Sequence, residues 1–206
     1  MYIPSWILVI IIIAAAFYYF RKIAMEKNVE MNNQEKYKYA YALTSVASTG
    51  LSFVEDSLVS MMSNAGDSSR LRSFYILLSY NFELVLKSRI VMVENFNDKQ
   101  SLNSRLVNLG HNIQATAKAL GGTNLQELGI TEVKKNSTQY KVSTKDNGEI
   151  LIEDFTKIRY DFLDDVVRSV DSQEHARIKE YLDVLFLILK KTKEKNEESK
   201  NQSKAL

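Results

Sequence analysis

The chain contains no cysteine, one proline and seven glycines among its 206 residues. Without cysteine there is no disulfide framework and no thiolate nucleophile, which favours a cytoplasmic location for the bulk of the chain. An all-β fold needs many turns, and turns are usually built with glycine and proline. The scarcity of both residues therefore predicts long, uninterrupted helices.

Several motifs that mark enzymes are also missing. The sequence has no phosphate-cradling Gly-Lys-Ser/Thr loop, no His-Glu-x-x-His pair and no Gly-x-Ser-x-Gly elbow. With two histidines and no cysteine, a zinc site would have to consist mostly of carboxylates. The net charge is only +2, and no basic stripe interleaves with aromatic residues, so no global field recruits nucleic acid. We expect neither a metal nor a cofactor.

A long apolar run is present at the N-terminus, at residues 3–20, and Arg21 follows it directly. As a helix this run would be about 27 Å long at 1.5 Å per residue, close to the roughly 30 Å of a bilayer's hydrocarbon core. Tyr2 and Trp6 lie near one end and Tyr18 near the other, where aromatic rings prefer the lipid headgroups. The run predicts one membrane-spanning anchor.

A cleaved signal peptide is the alternative interpretation of this run. It would need a charged start and a small-x-small cleavage site, but residues 1–5 are uncharged and bulky residues 17–20 follow the three alanines. Lys and Arg are absent before the run and follow it at positions 21, 22 and 27. Cationic flanks stay on the cytoplasmic side. We therefore expect a single-pass protein of the bacterial inner membrane, with its N-terminus outside and the rest cytoplasmic.

The rest of the chain is expected to form one helical domain. We predict a connector at residues 23–35, the domain at residues 36–190 and a charged, flexible tail at residues 191–206. Apolar residues recur at three- and four-residue spacing, typical of helices with one buried face. The predicted helices cover residues 34–62, 69–94, 102–120 and 172–195.

These helices differ in apolar pattern and in how they end. In the first, the apolar stripe includes Val46. The second is the most apolar and is expected at the centre of the bundle. The third keeps its period across Gly110 and is expected to end at Gly121, with residues 123–136 irregular. Residues 139–153 carry two runs with β-branched residues around an Asp-Asn-Gly turn, which predicts a β-hairpin. The fold class is therefore an all-α antiparallel bundle with a small β-hairpin insertion, plus the anchor.

Two pairs of polar residues are candidates for chemistry. Glu83 and Lys87 are four residues apart on the central helix, in the favourable orientation for an ion pair. They share a stripe with Ile76, Tyr80 and Ile90, so this stripe is not a plain solvent-facing surface. Charges on an apolar helix are costly unless paired. The pair is interpreted either as an ion pair at the rim of the bundle or as part of a polar pocket.

Arg105 and His111 form the second candidate pair. A neutral imidazole and a guanidinium are a minimal set for cleaving a phosphodiester, because one moves protons near neutral pH and the other binds phosphoryl oxygens. On one straight helix the two would diverge by about 120°. They converge only if Gly110 breaks the helix or a second subunit completes the site. The alternative is that Asn112 caps a new helix and His111 is satisfied locally.

The two other polar sites are weaker candidates. His175 lies in the first turns of the last predicted helix and is expected to be solvated. Arg159 and Tyr160, after the hairpin, could reach the bundle, but alone they indicate no function.

The order of these pieces resembles the HEPN superfamily of prokaryotic helical domains over residues 36–190. The order is a long helix, then Leu77-Leu-Ser-Tyr-Asn-Phe-Glu83-Leu-Val-Leu-Lys87, a loop, Leu109-Gly-His111-Asn-Ile, an Ile158-Arg-Tyr segment and a closing helix. The resemblance implies an antiparallel bundle that commonly dimerises. Many members are metal-independent endoribonucleases of defence and toxin systems. They join an Arg and a His, four to six residues apart, across a dimer interface.

By this resemblance Arg105 would hold the phosphate and His111 would act as general acid or base. Glu83 and Lys87 would line the cleft, and the partners would be RNA and a second copy of the chain. Other HEPN members are non-catalytic binding or dimerisation modules. The alternative function is therefore a membrane-tethered adaptor that recruits an unidentified protein. A transporter is disfavoured, since a single span offers no pore.

Overall fold

The structure, a computed structural model, describes residues 30–62, 68–134, 139–145, 148–157 and 172–202. The described part is mostly helical and carries one small antiparallel sheet, as the composition and the periodicity predict. Its elements in chain order are α1 (Asn33–Met62), α2 (Ser68–Val93), α3 (Lys99–Asn108), α4 (Ile113–Glu127), β1 (Ile130–Glu132), β2 (Tyr140–Ser143), β3 (Glu149–Leu151), α5 (Ile152–Lys157) and α6 (Ser172–Gln202).

Helix α1 begins with a reciprocal cap. The side chain of Asn32 accepts a hydrogen bond from the Glu35 amide at 2.9 Å, and the Glu35 carboxylate accepts one from the Asn32 amide at 3.3 Å. The helix then buries one stripe in the bundle, made of Ala40, Ala47, Leu51, Val54 and Leu58. The predicted helix is confirmed, but the inclusion of Val46 in its apolar stripe is wrong. Val46 lies on the solvent side and is 54% exposed.

Helix α2 is the central helix, as its apolar sequence predicts. It contacts α1, α6, α4 and α5, and residues 81–92 are all buried. A chain of aromatic contacts joins α2 to α5 and α6. The ring centre of Phe82 lies 4.7 Å from that of Phe155, and the ring centre of Phe155 lies 4.7 Å from that of Tyr181. The stretch over residues 81–92 has no face left for unpaired charge, so each charged residue in it needs a partner.

The sequence predicts a single helix over residues 102–120. Gly110 divides this range, and Gly121 follows its predicted end. Gly110 has φ of 57°, and residues 109–112 form a turn between α3 and α4. Gly121, with φ of 76°, is non-helical and breaks α4 at the predicted position, but a second helical stretch continues to Glu127. The expectation that residues 123–136 are irregular is therefore wrong over residues 123–127, which are helical, and over Ile130–Glu132, which form β1, while residues 135–136 lie outside the described residues. Glycine tolerates positive φ, so it permits a kink as readily as a stop.

The predicted hairpin is confirmed and gains a third strand. Strands β2 and β3 pair antiparallel, with Val142 opposite Ile150. Strand β1 adds to the other edge of β2, with Ile130 opposite Val142. These three residues face the core. Residues 146–147 of the predicted turn lie outside the described residues.

Helix α6 extends beyond its predicted end at residue 195. The expected flexible tail from residue 191 is wrong over residues 191–202, which are helical. The reason is the buried guanidinium of Arg89 on α2, which donates to the carbonyl of Lys195 at 3.3 Å and to Oγ of Ser199 at 3.0 Å. It also pairs with Glu127 of α4 at 3.1 Å. One side chain thus connects three helices.

No helix among the described residues combines the length and the apolarity needed to cross a bilayer. The predicted anchor at residues 3–20 and most of the connector lie outside the described residues, as do residues 158–171 and 203–206. The anchor therefore stays a prediction.

The close approach of α1 to α2 gives a stability prediction. A Cβ at Gly50 would lie 2.5 Å from the amide group of the buried Asn81. Gly50→Ala should therefore lower the free energy of unfolding by about 1–3 kcal/mol, as overpacking does. Gly122→Ala is the matched control, because its nearest atom would be 3.9 Å away, and it should be neutral or stabilising by up to about 1 kcal/mol. Urea unfolding measures both, and equal stability of the two variants would contradict the close packing.

Candidate functional site

A buried ion pair lies at the centre of the candidate site. Lys87 Nζ is 2.8 Å from Glu83 Oε1, one helical turn apart on α2. The Glu83 side chain is only 1% exposed and that of Lys87 10% exposed. The predicted pairing is present, but the pair is buried and does not lie at a solvated rim. A carboxylate so far from water is tolerated only with a compensating charge and hydrogen bonds.

The turn between α3 and α4 supplies the other partners of this pair. Lys87 Nζ also donates to the carbonyl oxygen of Gly110 at 2.7 Å. Nδ1 of His111 lies 3.1 and 3.2 Å from the two oxygens of Glu83. Both ends of the ion pair therefore hold the same turn. We call Glu83, Lys87, Gly110 and His111 the His111 cluster.

The local sequence explains why His111 lies at this turn. Gly110 accepts the positive φ that ends α3. Asn112 then caps α4, its side chain accepting from the Ala115 amide at 2.9 Å. The alternative expectation that Asn112 starts a helix is thus confirmed, whereas His111 is satisfied by α2 and not locally.

His111 is exposed although its partner is buried. Its side chain is 71% exposed, against 1% for that of Glu83. A carboxylate next to Nδ1 favours the tautomer that carries the proton there, which leaves Nε2 as the basic nitrogen. A fixed imidazole with an accessible basic nitrogen can give and take protons at the surface.

Arg105 is held apart from this cluster. Its Nε and Nη2 bind the two oxygens of Glu94 at 2.8 and 2.7 Å, a bidentate pair. The hydrogen bonds with Glu94 raise the pKa of Arg105 above its ordinary value. Glu94 is the first residue after α2. Its backbone amide donates to the carbonyl oxygen of Ile90, which continues the hydrogen-bond pattern of the helix. It lies eleven residues after Glu83, so about 16 Å separates the two Cα positions along the helix axis.

The structure therefore brings Glu83, Lys87 and His111 together, and within one chain it does not bring Arg105 to them. The break at Gly110, one of the two conditions for convergence, is present but does not suffice. The other residues of the stripe that contains Glu83 and Lys87 differ in exposure. Ile90 is buried, whereas Ile76 and Tyr80 are each about 40% exposed.

Of the two weaker candidates, only His175 lies among the described residues. It was expected to be solvated, which is wrong in part: the residue is half-buried, and its Nε2 is buried without a hydrogen-bond partner among the described residues. Arg159 and Tyr160 lie outside the described residues. Nor does any group of three or more His, Asp or Glu residues in the described ranges form a site for a metal ion.

The sequence interpretation missed Glu94 and the carbonyl of Gly110. Glu94 could have been identified from the sequence. It lies eleven residues after Glu83, and positions eleven residues apart lie on the same face of a helix. The role of the carbonyl had none, because a backbone acceptor leaves no trace in residue identity.

Comparisons with protein-family models, curated proteins and solved structures found no match to this chain. The likeness to HEPN domains therefore rests on the order of the motifs.

The burial of the Glu83–Lys87 pair predicts a large stability effect. Lys87→Met leaves a buried carboxylate without its cation, so we expect a loss of about 3 kcal/mol in the free energy of unfolding. Lys157→Met is the matched control, because Lys157 and Glu153 have the same spacing but side chains that are 59% and 24% exposed. The control should lose less than about 1 kcal/mol. Urea unfolding measures both variants. An equal loss of unfolding free energy in Lys87→Met and Lys157→Met would show that burial of the Glu83–Lys87 pair does not increase the cost of removing its lysine.

Proposed function

We propose that this protein is a membrane-tethered, HEPN-like helical protein that acts on RNA, with His111 as its acid–base group. The contact between Nδ1 of His111 and the buried Glu83 carboxylate is the observation that best supports this function. It fixes an exposed imidazole of the α3–α4 turn against the buried helix α2 without blocking its second nitrogen. The motif order from the long first helix to the closing helix supports the same class.

The chemistry follows from these groups. Nε2 of His111 takes the proton of a ribose hydroxyl while that oxygen attacks the neighbouring phosphorus. The bond from phosphorus to the 5′ oxygen of the next nucleotide breaks and leaves a 2′,3′-cyclic phosphate. The departing oxygen takes a proton from water, and the imidazolium returns its proton to the hydroxide that this produces. The imidazolium that forms is stabilised by Glu83, as a buried carboxylate does for the histidine of a catalytic triad. Lys87 pairs with Glu83 in its buried position at 2.8 Å and thereby acts through it.

Arg105 of the same chain does not supply a guanidinium for the phosphate at His111. Arg105 is bound to Glu94, with about 16 Å between the Glu83 and Glu94 positions along the helix. In a symmetric dimer, Arg105 of a second copy can approach His111, because the two copies present the same surfaces to each other. The proposed enzyme is therefore a dimer with two composite sites.

Cleavage of RNA by the full-length protein in detergent tests this function. His111→Ala should abolish cleavage, and Glu83→Gln should slow it by about 10- to 100-fold, typical for loss of a group that orients a histidine. His175→Ala is the matched control, since it removes the other histidine of the chain, and it should leave the rate unchanged.

Mixing variants tests the composite site. Arg105→Ala and His111→Ala should each be inactive alone. Random exchange of subunits should restore about a quarter of the wild-type activity, because half of the dimers are mixed and each has one intact site. Absence of cleavage, or cleavage unchanged by His111→Ala, would refute the proposed enzyme.

The predicted anchor gives a second test, on location. Full-length protein should sediment with the membrane fraction, whereas a variant with Ile10 and Ile12 replaced by Asp should lose much of this attachment, because each acidic residue at mid-bilayer costs about 2.5–3.5 kcal/mol. Protease added to intact cells should leave the C-terminal domain uncut. Digestion of that domain in intact cells would contradict the proposed orientation.

The second candidate function is a non-catalytic adaptor. The bidentate Arg105–Glu94 pair favours it, since a guanidinium already satisfied by a carboxylate is poorly placed to bind phosphate. The near-neutral charge of the chain agrees, because nucleic-acid affinity depends largely on cationic contacts with phosphate. Stoichiometric recovery of a protein partner from solubilised membranes, together with absence of RNA cleavage, would select the adaptor.

A further inference from the structure

A groove between α1 and α6 forms a second polar site. It encloses about 400 Å³, within the range of small-molecule sites. Its lining includes Tyr41, Ser45, Ser48, Thr49, Lys193 and Asn196. None of these residues belongs to the His111 cluster.

Asn196, in the lining of this groove, carries an unpaired polar atom. Asn196 is 2% exposed, and its amide nitrogen donates to Oγ of Ser88 at 3.4 Å. Its Oδ1 is buried without a hydrogen-bond partner among the described residues, as is Oγ1 of Thr192 one turn earlier. Leaving such a group unsatisfied costs about 1–3 kcal/mol. A polar ligand that reached Oδ1 would offset this cost.

Tyr37 lines the groove and makes three contacts. The hydroxyl of Tyr37 donates to the Glu197 carboxylate, and Lys200 Nζ lies 4.1 Å from the centre of the Tyr37 ring. Burial, and then the bond with Glu197, raises the pKa of Tyr37 to about 12. Tyr41 lies next to it, with ring centres 6.0 Å apart, and is 58% exposed. Tyr41 therefore presents a ring on a rigid base.

The other groups in the groove suit an anion. Lys193 Nζ is 3.3 Å from Oγ of Ser48, so a cation and a hydroxyl meet at the wall of the groove. The charge of Glu197 is offset by Lys200 at 3.2 Å. A cation beside a hydroxyl can bind phosphoryl oxygens.

We propose that the α1–α6 groove binds a nucleoside monophosphate unit. The base stacks on Tyr41, the phosphate binds Lys193 and Ser48, and the amide of Asn196 bonds to the edge of the base. Stacking of bases on aromatic side chains is a general mode of nucleotide binding. The unit is either a free nucleotide or one residue of a single-stranded RNA, since both present the same ring and phosphate. The inference does not depend on His111 or on RNA cleavage.

Isothermal titration of the full-length protein in detergent tests this site with four probes. These are AMP, adenosine, inorganic phosphate and a short oligoadenylate. AMP should bind measurably and more tightly than adenosine or phosphate alone. Tighter binding of the oligoadenylate than of AMP assigns the groove to RNA, and the reverse assigns it to a free nucleotide. No heat of binding with any probe at millimolar concentration would overturn the proposal.

Two variants locate the binding site. Tyr41→Ala should weaken AMP binding about tenfold or more through lost stacking. Lys193→Met should weaken AMP but not adenosine. Tyr80→Ala and Lys145→Met are the controls, as an exposed tyrosine and an exposed lysine outside the groove, and AMP affinity should not change. Because Tyr41 and Lys193 are exposed, the variants should fold. AMP binding that neither groove variant changes would also overturn the proposal.

Discussion

The carboxylate of Glu83 is almost completely removed from water, and the arrangement around it follows from that fact. Its charge must be balanced within hydrogen-bond distance, and Lys87 and His111 are placed to do so. Lys87 also binds the carbonyl of Gly110. The turn that joins α3 to α4 is therefore held against α2 at two points, and the direction in which α4 leaves the turn is set by a buried charge.

A second buried charge on α2 acts at the other side of the bundle. Arg89 bonds to the backbone and side chain of α6 and pairs with Glu127 at the end of α4. Burial lowers its pKa, and Glu127 opposes this shift. Apolar packing alone would let long helices slide along one another. Hydrogen bonds at fixed positions set their register, a role for buried charges that we infer here from their placement.

Much of the fold was predictable, because apolar spacing reports which face of a helix is buried. The predicted ranges of α1 and α2 differ from the observed ones by one residue at most. The errors arose where a local signal had two meanings. Gly121 has positive φ, which fits both a helix end and a kink. The charged residues after Lys190 resemble a solvated tail, but Thr192 and Asn196 are buried, and Asn196 bonds to Ser88, 108 positions earlier.

The candidate site was predictable in part for the same reason. Glu83 and Lys87 are close in sequence, so their pairing followed from helical geometry. The partners of Arg105 and His111 lie on another helix, and no local pattern reports which of them each side chain meets. The functional meaning of the site depends on whether His111 is a fixed acid–base group. Nitrogen NMR of the imidazole in the full-length protein tests this most directly. We predict that the neutral imidazole is a single tautomer with its proton on Nδ1, bonded to Glu83. A neutral imidazole with its proton on Nε2, or rapid averaging between the two tautomers, would contradict the account.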